Sequence, residues 1–588
     1  MTERFECAAP RTRSRRPAAL AAVLAISAMA MTAPARADSS REEISREVHK
    51  SLPMKPGQRL DVDHRNGNIR IHTQVVPAVR VDARIRVSSS DMDEAKRFAD
   101  AVAIDIEPSA TGVSVRTRYP EEHRGLFSGS SRVSFAVDYD IALPESAAVS
   151  VRNRFGDVVA EGLKGGTEIH NANGRLVFRG GRGTAQLENS FGSLEVAGNA
   201  GETNATNANG TVMISDIDGP LSVKNRFGRV TIARVKKVVF AGTNADVSLA
   251  GSGPASVTTS FGAVEATNVA GDLSVQNTNG AVTASGVAGE AELAATFAAI
   301  TFSDVKRGVR CNGTNARVSG RKAGGPVNVQ NTFGAVELSE IAGAVDVQNS
   351  NGKVRLRDIR GAAIVKNRFG EVDASGIGGD TTVVSGNATV TLSNIDGAVD
   401  ARNSFGAVSI TRSKKGVRVN SGNGGVTVSD AGGSTFVKTS FGLVEAARIA
   451  GDLTVENSNG AVRANDVRGF ANVRTSFSSV TLEAVTGAVE VDNQNGSVEL
   501  RDLHVGAKSC SRVAVKTTFA PVRIALSEGE GYTINARTSF GKINSELPLT
   551  ISGGASSDSL QGKVGDGRCE VTVSDTNGNI DLVRQGRR

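Results

Sequence analysis

The sequence has no tryptophan, three tyrosines, six histidines and four cysteines in 588 residues. So few large aromatics argue against a string of ordinary globular cores, which a chain of this length would otherwise need. The histidines (His49, His64, His72, His123, His170 and His504) include no pair at metal-helix spacing, and no two cysteines stand at zinc-site spacing. A nucleophile elbow, a phosphate-binding loop and a Gly-rich calcium nonapeptide are also missing. No catalytic constellation, metal or cofactor is therefore expected. A strong charge of one sign is lacking too. Residues 1–37 carry six Arg and two Glu, so the formal charge of +7 falls to +3 without them. That excess is too small and too scattered for a nucleic-acid footprint.

Long apolar runs are absent except near the start, where Ala18 to Met31 follows Arg4, Arg11, Arg13, Arg15 and Arg16. Ala35-Arg36-Ala37 then supplies a small-x-small cleavage pattern, so residues 1–37 read as a secretory signal peptide. The run is short for a bilayer, and no later segment resembles a membrane helix. The expected location is extracytoplasmic: periplasm, outer surface or secreted.

What the chain does have is glycine, 66 of them, and a repeat. A turn of the form Asn-x-Phe-Gly begins at Asn153. Its Phe recurs at Phe191, Phe227, Phe261, Phe297, Phe333, Phe369, Phe405, Phe441 and Phe477, 36 residues apart except for 34 between Phe227 and Phe261. Midway lie Asn173, Asn209, Asn244, Asn279, Asn315, Asn351, Asn387, Asn423, Asn459 and Asn495. The unit is thus about 18 residues, in two alternating variants. Within it apolar residues alternate, as in Val345, Val347, then Val354 and Leu356, which indicates strands with one buried face. The third residue after every one of these anchors is aliphatic, from Val158 to Val498. A chain that returns to the same place every 18 residues pairs in parallel with its next coil. The expected fold is all-β, a long parallel β-solenoid with terminal caps, roughly 100 Å long at ~4.8 Å per coil.

The second residue before the anchor faces inward and is usually polar: Asn153, Asn171, Asn189, Asn207, Asn225, Asn277, Asn331, Asn349, Asn367, Asn403, Asn457 and Asn493. Stacked amides there can bond to each other and to turn carbonyls, so a structural ladder is expected. The third residue before the anchor faces outward. It reads Arg152 and Lys224 near the start, then Lys366, Arg402, Lys438, Arg474, Lys516 and Arg537, a candidate track for an anionic polymer such as surface polysaccharide. The same pattern fits a solubilising ion-pair ladder, with acids such as Glu456 and Asp492 interleaved. The Phe anchors themselves are expected to pack at the corner or in the core.

Residues 38–150 depart from the repeat and are expected to cap the N-terminal end, with a short amphipathic helix over Asp91–Val102 and alternating strands around Val79–Val87 and Arg132–Ala142. Residues 151–545 form the solenoid, with an insertion near His504–Ser511, and 546–588 a C-terminal cap. Cys311 takes a slot that holds Val347 elsewhere and should be a small buried hydrophobe. Cys510 and Cys569 could pair only if the cap folds back, because three coils of rise exceed the ~7 Å reach of a disulfide.

The leader, the turn His64-Arg65-Asn66-Gly67-Asn68-Ile69, the repeated Asn-x-Phe-Gly and Asn-x-Asn-Gly coils and the ending Asp575-Thr576-Asn577-Gly578-Asn579-Ile580 resemble a bacterial domain-of-unknown-function family labelled "putative adhesin". That resemblance covers nearly all of the chain after the leader. It implies a β-solenoid and an exported or envelope location, and it carries no catalytic residues to transfer. Three functions follow as expectations: a non-enzymatic surface scaffold that binds polymers or envelope proteins; a polysaccharide-active β-helix lyase or hydrolase; and a self-assembling rod. A groove holding two or three acids beside a Lys or Arg would favour the enzyme.

Overall fold

The computed structural model describes residues 42–120, 133–503, 511–527, 530–552 and 556–585. The leader at 1–37, Cys510 and most of the insertion near His504 lie outside them.

One coil explains most of the molecule. A leading strand, Val345–Asn351, buries Val345, Val347 and Asn349, and a trailing strand, Val354–Ile359, buries Val354, Leu356 and Ile359. Between them Gly352 turns the chain at φ +131°, and a β-carbon there would lie 2.1 Å from the Gly334 carbonyl oxygen of the coil below. Only glycine fits such a position. A second corner, at Asp358, has φ +55°. It breaks the alternation, leaving Arg357 and Asp358 outside and returning Ile359 to the core. The same left-handed step recurs at Asp304, Lys322, Glu340, Asn394, Arg412, Asp430, Arg448 and Asp466.

Leading strands pair in parallel with leading strands, and trailing with trailing. Val354 stands opposite Val372 in adjacent layers, so equivalent residues form columns along one axis. The third residue after each anchor is at most 2% exposed from Val158 through Val498. Cys311 lies in the same core, opposite Val329. Burial pushes its thiol up to about 12, so it is an inert hydrophobe here.

Both ends use distant segments to continue the stack. Arg59–Asn66 lies in parallel against Ala148–Phe155, with Asn66 opposite Phe155, so a coil from the capping region forms a regular layer. Outside it, Glu42–Pro53 and Ser134–Pro144 each run antiparallel to Ala78–Ser89 between them. The helix Met92–Ala101 packs on them through Ala95 and Ala99, and the Asp91 carboxylate accepts from the amides of Asp93 and Glu94 at its start.

At the other end the last coil is inserted out of order. Cys569–Ser574 stacks between Val513–Thr517 and Tyr532–Arg537. Ile580–Arg584 likewise lies between Val522–Leu526 and Ile543–Ser545. The cap thus folds back, as a Cys510–Cys569 pairing would require. Cys569 is disulfide-bonded. Antiparallel Ser559–Val564 then closes the edge of Tyr532–Arg537.

Insertion places Asn577 between Phe519 and Phe540. The alternation of Asn and Phe at the turn therefore runs without a break from Asn66 to Phe540, although the end layers are far apart in sequence. Midway, the leading strands shorten. Ala255–Thr259, Leu273–Asn277, Ala291–Ala295 and Val309–Gly313 have five residues, against seven in Val327–Phe333. This segment begins at the 34-residue spacing, and two of its turns carry Ala298 and Ala316 where others have glycine.

Candidate functional site: a groove edged by phenylalanines

The inward Asn column is a ladder of two kinds. All twelve asparagines are buried, at 6% exposure or less. Near the start their amides bond coil to coil: Asn153 Nδ2 donates to Asn171 Oδ1 at 3.1 Å, and Asn171 to Asn189 at 3.2 Å. Later amides clamp two successive turns instead. Asn367 Nδ2 donates to the carbonyls of Gly352 at 2.9 Å and Gly370 at 2.7 Å. Asn403, Asn457 and Asn493 repeat that arrangement.

The outward slot forms one register column, and Arg152, Lys224, Lys366, Arg402, Lys438, Arg474, Lys516 and Arg537 are all exposed. Parallel pairing carries it from Lys366 through Val384, Arg402, Asn420, Lys438, Glu456, Arg474, Asp492, Lys516 and Ser574 to Arg537. Some of its cations are paired: Lys438 with Glu456 at 2.9 Å and Arg402 with Asp400 at 3.0 Å. Between Lys224 and Lys366 the column holds no charge and reads Thr258, Gln276, Ala294, Asn312, Gln330 and Gln348.

That stretch, continued by Lys366 and Val384, is the floor of a groove of about 980 Å³ running along the axis from Thr258 to Ser404. Its second wall is the residue just before each anchor: Ser260, Thr278, Thr296, Thr314, Thr332 and Ser350, a run of hydroxyls, with Arg368 at one end. No Asp, Glu, His or Tyr lines it. Its first part overlies the shortened strands, where the inward slot falls to Ala295 and Gly313, and it continues over the seven-residue strands from Val327–Phe333 to Thr381–Asn387.

The phenylalanines next to this wall stand at the corner of the coil and not in its core, one of the two placements expected. Phe261, Phe297, Phe333 and Phe405 are exposed by 48, 63, 48 and 52%. At the corner the anchor side chain leaves the alternation and turns outward, whether the next residue is Gly262, Ala298 or Gly334. Arginines lie over some rings, Arg154 at 5.7 Å from Phe155, Arg226 at 5.4 Å from Phe227 and Arg368 at 5.4 Å from Phe369. Phe261, Phe297 and Phe333 follow Ser260, Thr296 and Thr332, which are too short to cover them.

A second groove, of about 590 Å³, runs beside the start of the same leading strands. Asp272, Glu290, Glu292, Arg310 and Asp346 line it, together with Val239 and Ile364. Asp272 Oδ1 accepts from the Glu290 amide at 2.8 Å, so one of these acids holds a turn. Charge elsewhere is mostly cross-coil pairing. At the second corner the Arg234 guanidinium grips Asp216 at 2.6 Å and holds its carboxyl down to about 2.

Fold and site together define a capped parallel β-solenoid with an open polar groove along its axis. No family model matches the chain, and no curated protein matches it. A solved structure described as a "putative cell adhesion protein" from Clostridium sporogenes aligns at 10% identity over 41% of this chain and 98% of that one, with a TM-score of 0.16. At that level of similarity it supports no conclusion about this chain. Among the described residues no helix is long and apolar enough to cross a membrane.

Proposed function

We propose that this protein is an exported, non-catalytic binding rod of the cell envelope or surface, an adhesin-like scaffold that holds a polymer or another surface molecule along its length. The observation that carries the reading is the open groove spanning consecutive coils beside a row of exposed rings. Half-exposed rings recur at regular intervals, and exposed apolar arrays mark interaction surfaces. The groove lining offers hydrogen bonds, with Lys366 and Arg368 as its charged side chains and no carboxylate or imidazole beside them, which suits binding over turnover. The leader directs such a rod out of the cytoplasm.

The test is a binding screen of the full mature chain against envelope fractions and a glycan panel, repeated with Lys366, Arg402, Lys438 and Arg474 reversed to Glu. Retention of an envelope component or glycan supports the rod. Absence of binding throughout refutes it. Unchanged binding in the reversed variant removes the basic track from the binding surface.

The acids of the second groove favour one other reading, a polysaccharide-active solenoid enzyme. Paired carboxylates are what glycoside hydrolysis requires. Depolymerisation of a panel polysaccharide that disappears in a Glu292→Gln, Asp346→Asn variant would establish it in place of the scaffold.

A further inference from the structure

We infer that a pocket at the first regular layers of the rod binds the phosphate group of a phosphorylated sugar. It is separate from the central groove, has a volume of about 430 Å³ and is lined from Asp63 to Ser190. That is room for one sugar and not a chain, at the small end of ligand pockets of ~300–1,000 Å³. The inference goes beyond the binding-rod reading and does not depend on it. Charge placement points there first. With His64 opposite Asn153 and Asn66 opposite Phe155, Arg65 and Arg154 fill the same slot in adjacent layers, which lie ~4.8 Å apart. Like charges directly opposite each other destabilise a sheet. No other adjacent layers put two cations in that slot: Arg226 and Arg368 each stand between uncharged neighbours. Arg152 adds a third guanidinium from the outward column, and all three line the pocket. None of the three makes a salt bridge among the described residues, and Arg154 rests over the Phe155 ring. An anion seated among them offsets a repulsion that folding leaves in place.

The shape of the pocket agrees. A phosphate monoester offers three oxygens to three guanidiniums, and the planar arginine fork matches phosphate geometry in a bidentate way. A carboxylate has only two. In the layers after Arg154 the slot holds Ala172 and Ser190, too short to fill it, so the pocket opens beside the arginines. His64 lines it from within. That residue is 4% exposed and its Nε2 is buried without a partner, so the wall behind the arginines carries an unmet hydrogen bond.

The acids of the lining narrow the ligand. Asp63 stands opposite Arg152, and Glu188 lies 2.8 Å from His170, which Glu168 holds from its other nitrogen at 3.0 Å. Two carboxylates in the lining, Asp63 and Glu188, repel a polyanion, yet each accepts hydrogen bonds from hydroxyls. The pocket thus suits one anionic group with hydroxyls beside it. A sugar phosphate has that form, whereas a nucleic acid would bring further phosphates against the acids.

Calorimetry and thermal melting of the full mature chain with inorganic phosphate, glucose 6-phosphate, glucuronate and glucose test the site. Glucose 6-phosphate should bind and raise the melting midpoint, less so as salt is added, and inorganic phosphate should compete with it. Glucuronate should bind at least about tenfold more weakly, and glucose not at all. An Arg65→Gln, Arg154→Gln variant should lose at least about tenfold in affinity. Without ligand it should melt no lower than the native chain, because the repulsion is gone, and this separates loss of the site from loss of the fold. Arg226→Gln, in the same slot without a neighbouring cation, should bind as the native chain does. No binding of either phosphate, or phosphate binding that survives in the double variant, would overturn the site. Equal binding of glucuronate would overturn the phosphate assignment. Retention on phosphatidylglycerol vesicles with no binding of glucose 6-phosphate would overturn the sugar. A failed envelope and glycan screen alongside phosphate binding would sink the rod reading and leave this site standing, and the reverse result would sink this site alone.

Discussion

The inward asparagine shows how a single side chain sets the pitch. In the later coils its amide nitrogen joins the turn carbonyl of its own layer to that of the layer below, as Asn367 does with Gly370 and Gly352. Its oxygen is buried without a partner there, so the amide serves the turns at some cost to its own acceptor. Asn367→Ala should lower stability by about 1–2 kcal/mol, because two buried carbonyls lose their donor while one bare acceptor is removed. Asn367→Ser should cost at least as much, since the hydroxyls of Ser385 and Ser421 in the same slot are buried without a partner. Shifts in denaturation midpoint for the two variants check the order.

His64 heads that column, opposite Asn153. Its Nδ1 lies 3.0 Å from Thr117 Oγ1, which contacts the Tyr139 hydroxyl at 2.6 Å, while Nε2 is buried without a partner. Burial pushes its pKa down to about 4 from an ordinary 6.5. The folded state therefore resists the proton that the unfolded chain accepts. Full stability holds above pH 6.5 and declines as the pH falls toward 4, by an amount on the order of 3 kcal/mol. Denaturation midpoints at pH 7 and pH 4.5 should show a larger drop for the native chain than for His64→Asn.

Strands and turns decide how the rod ends. A parallel stack leaves an unpaired edge at each end, and such edges recruit other chains. At the C-terminal end, inserting Cys569–Ser574 between Val513–Thr517 and Tyr532–Arg537 ties the last layers together, and antiparallel Ser559–Val564 closes the outermost one. Removing residues 569–588 should expose two edges at once. Size-exclusion chromatography with light scattering should then show dimers or larger species. A monodisperse monomer with native melting would mean that the inserted coil protects nothing.

At the scale of the whole molecule, the repeat and its one irregular stretch divide the work. Regular coils extend the axis and keep the columns in phase. The shortened strands between Ala255 and Gly313 underlie the first part of the groove. The 34-residue spacing that leads into this stretch stood in the sequence. The shortening itself did not, because Leu273–Asn277, Ala291–Ala295 and Val309–Gly313 belong to full 18-residue coils.

What the amino-acid order determined by itself was the coil: its length, its parallel stacking, its aliphatic columns and its buried amide ladder. Those properties follow from spacing, because residues 18 apart must meet once the chain closes on itself. The N-terminal helix was legible for the same local reason, from Asp91 and the buried spacing of Ala95 and Ala99. Three things were decided only by tertiary structure. The second corner, at residues as unlike as Asp358 and Arg412, is imposed by closure of the coil and leaves no residue type common to all layers. The outward rotation of the phenylalanines depends on turn geometry, which an alternation count cannot supply. The placement of Asn66 beside Phe155, and of Asn577 between Phe519 and Phe540, joins residues tens of positions apart. Hydrogen bonding between unpaired edges chooses such partners, and no spacing along the chain encodes them.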